Sequence, residues 1–142
     1  MKIKLIAISI LFTLLTSCAF AEKGTLLSSA KGTNHAVIIA GSSGFENYRH
    51  HADVCHAFKI LSENGVPKEN IITMFYDDVA NSPMNPFPGT LFNAPSNKSA
   101  PGIDVYAGCQ KDYTGNLVTA QNFLSVITGN KSAVPDGMKV LN

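Results

Sequence analysis

The feature that most constrains the fold is a strand–helix–strand pattern between residues 35 and 76. Residues 35–40 form a short β-branched apolar run, which predicts a strand buried on both faces of a parallel sheet. Residues 48–64 show helical periodicity and end before Pro67, and residues 71–76 form a second apolar run. Because parallel neighbours need a long crossover, the pattern predicts one right-handed βαβ unit.

The predicted helix has one apolar face and a clear C-terminal signal. Asn64-Gly65 predicts the end of the helix, since glycine readily adopts the left-handed conformation there. The apolar face consists of Val54, Ala57, Phe58 and Leu61.

The chain beyond the second strand is less regular. Prolines and glycines interrupt residues 79–116, which is typical of a functional loop or an insertion, and residues 103–106 predict a short strand or hairpin arm. Thr119 predicts the N-cap of a second helix over residues 120–128, which Gly129 ends. A parallel sheet this small leaves its edges open, so we expect residues 35–142 to belong to a larger domain.

The first 21 residues have the pattern of a secretory signal peptide. A basic start and an apolar run precede Ala19-Phe20-Ala21, which offers small residues for cleavage. The run is too short to cross a membrane, so no membrane span is expected after removal. The segment Leu15-Thr16-Ser17-Cys18 leaves a bacterial lipoprotein site as the alternative. We expect a protein of the secretory pathway, with residues 22–34 as a leader.

Two sequons agree with secretion. Asn97 and Asn130 each begin an Asn-Lys-Ser triplet in a polar stretch, which predicts N-glycosylation.

Charge and motifs exclude several classes of partner. The sequence has 11 Lys+Arg and 10 Asp+Glu, so no basic field predicts a nucleic-acid partner. The Gly41-Ser42-Ser43-Gly44 tetrad lacks the spacing of a dinucleotide fingerprint and the lysine of a P-loop. We therefore interpret it as a tight turn, and no cofactor is predicted.

A dense group of polar residues occupies the first half of the helix. His51 and Cys55 lie four positions apart, and Asp53 and His56 three apart, so each pair could share a metal. Helical spacing spreads them over more than one face, and no metal site is predicted. Cys55 could also act as a nucleophile with His51 as its base, pair with Cys109, or remain a core thiol.

Arg49 is the most informative charge, because it follows the loop that ends the first strand. A guanidinium there can present two parallel donors to a carboxylate or an amide oxygen. The alternative is an exposed arginine at the start of a helix.

The motifs together resemble the legumain, or asparaginyl endopeptidase, family of cysteine peptidases. The resemblance covers residues 33–142 and is carried by these segments: Asn47-Tyr48-Arg49-His50, Ala52-Asp53-Val54-Cys55-His56-Ala57, Tyr76-Asp77-Asp78, Asn85-Pro86-Phe87-Pro88-Gly89 and Lys111-Asp112-Tyr113-Thr114-Gly115. The related glycolipid-anchor transamidase subunit shares the Asn-Tyr-Arg-His run.

The resemblance implies a fold, a reaction and three site residues. The fold would be caspase-like, a mainly parallel sheet with helices on both faces, incomplete in this chain. The substrates would be peptides or proteins cut after Asn, in a lysosome or vacuole. Asn47 would support the catalytic histidine, Arg49 would bind the substrate's Asn side chain, and His50 would lie near that pocket.

One departure limits what this chain can do alone. The family's nucleophile lies in a Glu-Ala-Cys segment and its base in a His-Gly pair, and neither occurs in the sequence. We expect a fragment of a cysteine endopeptidase that is inactive by itself. The alternatives are a secreted, non-catalytic form that binds peptides or a partner, and a transamidase relative in a membrane complex.

Overall fold

A parallel pair of strands joined through a helix forms the centre of the fold. The computed structural model describes residues 33–94 and 102–142. Its strands and longer helices are β1 (Ala36–Ile39), α1 (Tyr48–Glu63), β2 (Ile71–Met74), β3 (Phe92–Asn93), β4 (Ile103–Asp104) and α2 (Ala120–Ile127). Strands β1 and β2 are parallel, with Ala36 opposite Ile71 and Ile39 opposite Met74. The predicted order of strand, helix and parallel strand is confirmed.

The two central strands differ in burial. All four residues of β2 are buried, and Tyr113 bonds to its outer edge, donating to the Thr73 carbonyl and accepting from the Phe75 amide, both at 3.0 Å. No strand among the described residues pairs with the other edge of β1, and Ile39 is 41% exposed. The prediction that the first strand is buried on both faces is wrong, because Ala36, Val37 and Ile38 are half-buried and Ile39 is exposed.

The helices pack on opposite faces of β2. Ile71 packs with Phe58 of α1, whereas Ile72 and Met74 cluster with Val126 of α2. Successive side chains of a strand point to opposite faces, so this division makes three layers, with the strands between two helices. The α/β class predicted from the sequence is confirmed.

Helix α1 ends as the sequence predicts. Its buried residues include a polar side chain, His51, as well as apolar ones. Asn64 caps the helix through its amide, and Gly65 follows with φ of 93°. Of the predicted apolar face, Val54 and Phe58 are buried, while Ala57 and Leu61 are half-buried. The buried residues of the helix are His51, Ala52, Val54, Cys55 and Phe58.

The irregular stretch after β2 is organised around one buried amide. The Asn85 side chain donates to the carbonyls of Ala80 at 2.8 Å and Thr90 at 3.0 Å, and its Oδ1 accepts from the Phe87 amide at 3.0 Å. Beyond this loop, β3 and β4 pair antiparallel, which confirms the predicted hairpin arm.

Helix α2 begins after the predicted N-cap, Thr119, and residues near the C-terminus of the chain contact it. Gly129 follows the helix with φ of 69°, and the Leu141 amide donates to the Val126 carbonyl at 3.0 Å. Tyr113 also reaches this segment, since its hydroxyl donates to the Lys139 carbonyl at 2.7 Å.

Replacing Thr119 with alanine is expected to destabilise the fold by about 1 kcal/mol. Thr119 Oγ1 accepts from the Asn122 amide at 3.1 Å, and alanine would leave that donor without its partner at the helix end. Urea unfolding followed by circular dichroism measures the change. Thr119→Ser keeps the hydroxyl and is the control; equal midpoints for the alanine and serine variants would contradict the assignment.

The predicted signal peptide, most of the predicted leader, and Asn97 lie outside the described residues. Neither helix within the described ranges is long and apolar enough to cross a membrane.

Candidate functional site

The polar residues singled out in the sequence meet at the carboxyl edge of the parallel strands. The loop after β1 contains Ser42, Ser43 and Gly44, and a short 3-10 helix, Phe45–Asn47, leads from it into α1 at Tyr48. The loop after β2 brings Asp78 to the same edge, where its Oδ2 accepts from the Gly44 amide at 2.8 Å. In open α/β sheets this edge is where ligands bind.

Ser42 contacts two consecutive histidines of α1. Its Oγ lies 2.7 Å from His50 Nδ1, and its carbonyl oxygen lies 3.2 Å from His51 Nε2. One residue of the loop therefore fixes both rings, one through its side chain and one through its main chain.

His51 is part of the core and not of an open site. The ring is 0% exposed and packs edge-on against Phe75, with centroids 5.5 Å apart. Its Nε2 also lies 3.6 Å from Asp78 Oδ1, so Asp78 holds Gly44 with one oxygen and approaches His51 with the other. His51 Nδ1 is buried without a hydrogen-bond partner among the described residues.

Asn47 joins the loop to the start of α1. Its side-chain Nδ2 donates to the Ser43 carbonyl at 2.7 Å, and it makes no side-chain cap to the helix. The residue thus stabilises the turn that leads into the helix.

Arg49 lies in the first turn of α1 and is exposed. Its guanidinium makes no hydrogen bond or ion pair with the described residues. It is available to a ligand that approaches this edge.

An open cleft of about 410 Å³ lies between the C-terminal end of β1, the start of the loop after it and the first half of α1. Ser42, His50 and Asp53 supply polar side chains to the cleft, and Arg49 is not among the lining residues. The structure therefore brings His50 and Asp53 together and leaves Arg49 on the adjoining surface. The sequence had suggested Asp53 only as a metal ligand. No sequence pattern indicated its place in a cleft.

The cysteines of the described residues, Cys55 and Cys109, form a disulfide. The Sγ atoms of Cys55 and Cys109 are bonded, and their Cα atoms lie 5.2 Å apart. A disulfide sulfur is neither a thiolate nucleophile nor a thiolate ligand, so of the roles left open for Cys55 the structure shows pairing with Cys109 and not a metal ligand, a nucleophile or a free core thiol.

The side-chain amide of Asn93 contacts both Asp53 and His56. Asn93 Nδ2 lies 3.0 Å from Asp53 Oδ1 and 3.2 Å from His56 Nδ1. This contact links α1 to the β3–β4 hairpin. Within the described part of the chain, no three His, Cys, Asp or Glu side chains are grouped to hold a metal ion.

Asp77 lies in the loop after β2 in a backbone conformation that is uncommon for residues other than glycine. Its φ is 59°, and its Oδ1 accepts from the Tyr106 hydroxyl at 2.8 Å. Burial, followed by this bond to Asp77, raises the pKa of Tyr106 above its ordinary value. The hydroxyl therefore stays protonated and keeps donating at neutral pH.

The described sequon is exposed. Asn130 precedes the short helix Lys131–Ala133, and Ser132 Oγ donates to Asn130 Oδ1 at 2.9 Å. An exposed asparagine leaves room for a glycan, and glycosylation stays a prediction.

Comparison with known proteins identifies the family. A sequence model described as Peptidase C13 family matches residues 34–142. The chain is 57% identical over 106 residues to the vacuolar-processing enzyme beta-isozyme of Arabidopsis thaliana, covering 75% of this chain and 21% of that protein. It is 53% identical over 112 residues to legumain of Canavalia ensiformis, covering 78% and 22%. It is 53% identical over 103 residues to legumain of Mus musculus, covering 72% and 22%.

The match is strong but covers a small part of each relative. The chain spans about a fifth of the length of these curated relatives. The family model covers well over half of the chain, in the part that holds the cleft and the Asn47-Tyr48-Arg49-His50 run. This chain belongs to the Peptidase C13 family of cysteine peptidases, which includes legumain.

Proposed function

We propose that this chain forms one wall of the substrate pocket of an endopeptidase that cleaves after asparagine. The observation that carries the proposal is the position of Asn47-Tyr48-Arg49-His50 at the carboxyl edge of parallel strands, in a member of Peptidase C13. Arg49 is free to bind there, and His50 lines the adjacent cleft.

Each of the three residues has a role in this proposal. Arg49 donates to the carboxamide oxygen of the substrate's asparagine, a hydrogen bond strengthened by its charge. His50 adds a polar contact from the cleft. Asn47, which already fixes the turn through Ser43, supports the catalytic histidine.

The reacting groups come from another segment in this proposal. A cysteine thiolate attacks the carbonyl carbon after asparagine, and a histidine passes the proton to the leaving amine. Neither the Glu-Ala-Cys nor the His-Gly motif is in the sequence. In this proposal the chain supplies the N-terminal part of a caspase-like domain and is inactive alone, and the sheet extends at the edge of β1 that no described strand pairs. The enzyme works in a vacuole or lysosome.

The test is peptide cleavage by the full-length natural polypeptide that carries this segment. Matched fluorogenic peptides with asparagine or glutamine before the scissile bond are compared. Cleavage only of the asparagine peptide supports the proposal, whereas cleavage of neither or of both equally overturns it.

Arg49→Gln in that polypeptide is expected to lower kcat/KM for the asparagine peptide roughly 10- to 150-fold. This range corresponds to losing one charge-assisted hydrogen bond of about 1.5–3 kcal/mol. Lys59→Gln, which removes another charge of α1 that pairs with Glu63 at 2.9 Å, is the control and should change kcat/KM less than about twofold. A similar loss in both variants would indicate a general charge effect and not recognition by Arg49.

A second candidate is non-catalytic binding of an extended peptide. The edge of β1 that no described strand pairs, where Ile39 is 41% exposed, favours it, because an unpaired edge can add a strand from a partner. Capture of peptides by a soluble, cooperatively unfolding form of residues 22–142 would support this candidate, and insoluble material would count against it.

A further inference from the structure

We propose that Ser42 is a positioning residue that holds neutral His50 with its proton on Nε2, so that His50 presents a hydrogen-bond donor to the cleft. Ser42 Oγ lies 2.7 Å from His50 Nδ1. A serine hydroxyl can donate or accept, and a neutral imidazole has one donor and one acceptor nitrogen. The assignment depends on which atom holds the shared proton.

The length of this hydrogen bond indicates its direction. Among the described residues, Ser42 Oγ has no hydrogen-bond partner except His50, and because Ser42 lines the open cleft, solvent can also reach it. A separation of 2.7 Å is usual when a hydroxyl donates and is short for an N–H donor, whose usual separation is about 2.9–3.0 Å, so Ser42 is the donor. With Ser42 as the donor, Nδ1 is the acceptor. The other ring nitrogen, Nε2, then carries the hydrogen.

Because Nδ1 is bonded to Ser42, Nε2 is the ring nitrogen of His50 that can bind a ligand. The ring lines the 410 Å³ cleft together with Ser42 and Asp53, and the structure gives Nε2 no partner among the described residues. A donor at this position binds an acceptor oxygen. His50 therefore favours a ligand that presents oxygen, as the carboxamide of asparagine does. Arg49, which lies outside the cleft, is also only a donor.

The neighbouring histidine provides an internal reference. His51 Nε2 faces two acceptors, the Ser42 carbonyl at 3.2 Å and Asp78 Oδ1 at 3.6 Å, so its proton also lies on Nε2. Those acceptors are a main-chain oxygen and a carboxylate. Removing the Ser42 hydroxyl therefore changes the partner of His50 and leaves both partners of His51.

Long-range ¹H–¹⁵N correlation at about pH 8, where histidine is ordinarily neutral, reports the tautomer of each ring. The sample is the full-length natural polypeptide with ¹⁵N-labelled histidine, and His50→Gln assigns the signal. We expect the Nε2–H form for His50, a mixed population in Ser42→Ala, and restoration in Ser42→Thr. The His51 signal should stay in the Nε2–H form in all of them. An Nδ1–H form in the unmodified protein, or no change in Ser42→Ala, overturns the assignment.

Kinetics on the asparagine peptide test the consequence for recognition, which rests on the proposed function. Ser42→Ala should raise KM roughly three- to tenfold with little change in kcat, the effect of one misplaced neutral hydrogen bond. Ser62→Ala, which removes a hydroxyl bonded within α1 to the Lys59 carbonyl at 3.0 Å, should leave both constants unchanged. A fall in kcat alone overturns the positioning role. If the unmodified protein does not cleave after asparagine, the proposed function fails, and the tautomer measurement still decides the assignment.

Discussion

Replacing Cys109 with alanine is expected to lower the free energy of unfolding by about 4 kcal/mol. The Cys55–Cys109 disulfide closes a loop with a sequence separation of 54, and a cross-link of that length removes much of the entropy of the unfolded chain. Cys55 is 0% exposed, and the released thiol stays buried as a small apolar group without a polar penalty. The loss is therefore attributed mainly to the unfolded state.

Urea unfolding with and without reductant separates the cross-link from the substitution. Reductant should destabilise the unmodified chain by nearly the same amount as Cys109→Ala, and should leave the variant unchanged. Thiol titration under denaturing conditions confirms which samples hold the disulfide. Equal midpoints for the oxidised and reduced chain would show that the cross-link contributes nothing.

Phe75→Ala is expected to cost about 3–5 kcal/mol. Phe75 follows β2, is 0% exposed, and packs against the buried His51 ring with centroids 5.5 Å apart. Truncation removes the apolar contact and leaves a cavity beside a histidine that holds the loop after β1 through Ser42. We expect the loop after β1, which lines the cleft, to become less ordered as the stability of the whole fold decreases.

Phe87→Ala is the matched control, since it makes the same chemical change at a position that is 62% exposed. Its cost should stay below about 1 kcal/mol, because little apolar surface leaves the core. Denaturant unfolding measures both variants. Similar losses at the two positions would mean that burial in the core around Phe75 does not govern stability.

Local pattern predicted the regular elements of this fold well. The observed α1 ends one residue before the predicted range, and the observed α2 also ends one residue early. Periodicity and caps depend on neighbours within a few positions, so the sequence records them directly. The burial of β1 was mispredicted because an apolar run does not record how much of each strand face other elements will cover.

The site required contacts that no local pattern records. His50 meets Ser42 eight positions earlier, and Asp78 reaches Gly44 across 34 positions. The sequence left several roles open for Cys55 and Cys109. Their pairing depends on a contact between residues 54 positions apart, which no local pattern records. The resemblance supplied Asn47, Arg49 and His50 as a set. The structure adds that only His50 lines the cleft, while Arg49 lies outside it.

The disulfide also decides what a cut in the exposed loops would do. Cys55 and Cys109 close a covalent ring that contains β2, β3 and β4, and the exposed residues Met84 and Phe87 lie inside that ring. A protease that cuts beside either residue produces two polypeptides that remain attached to each other. Nicking the backbone and releasing a fragment are therefore separate events in this protein, and reduction of one bond is the step between them.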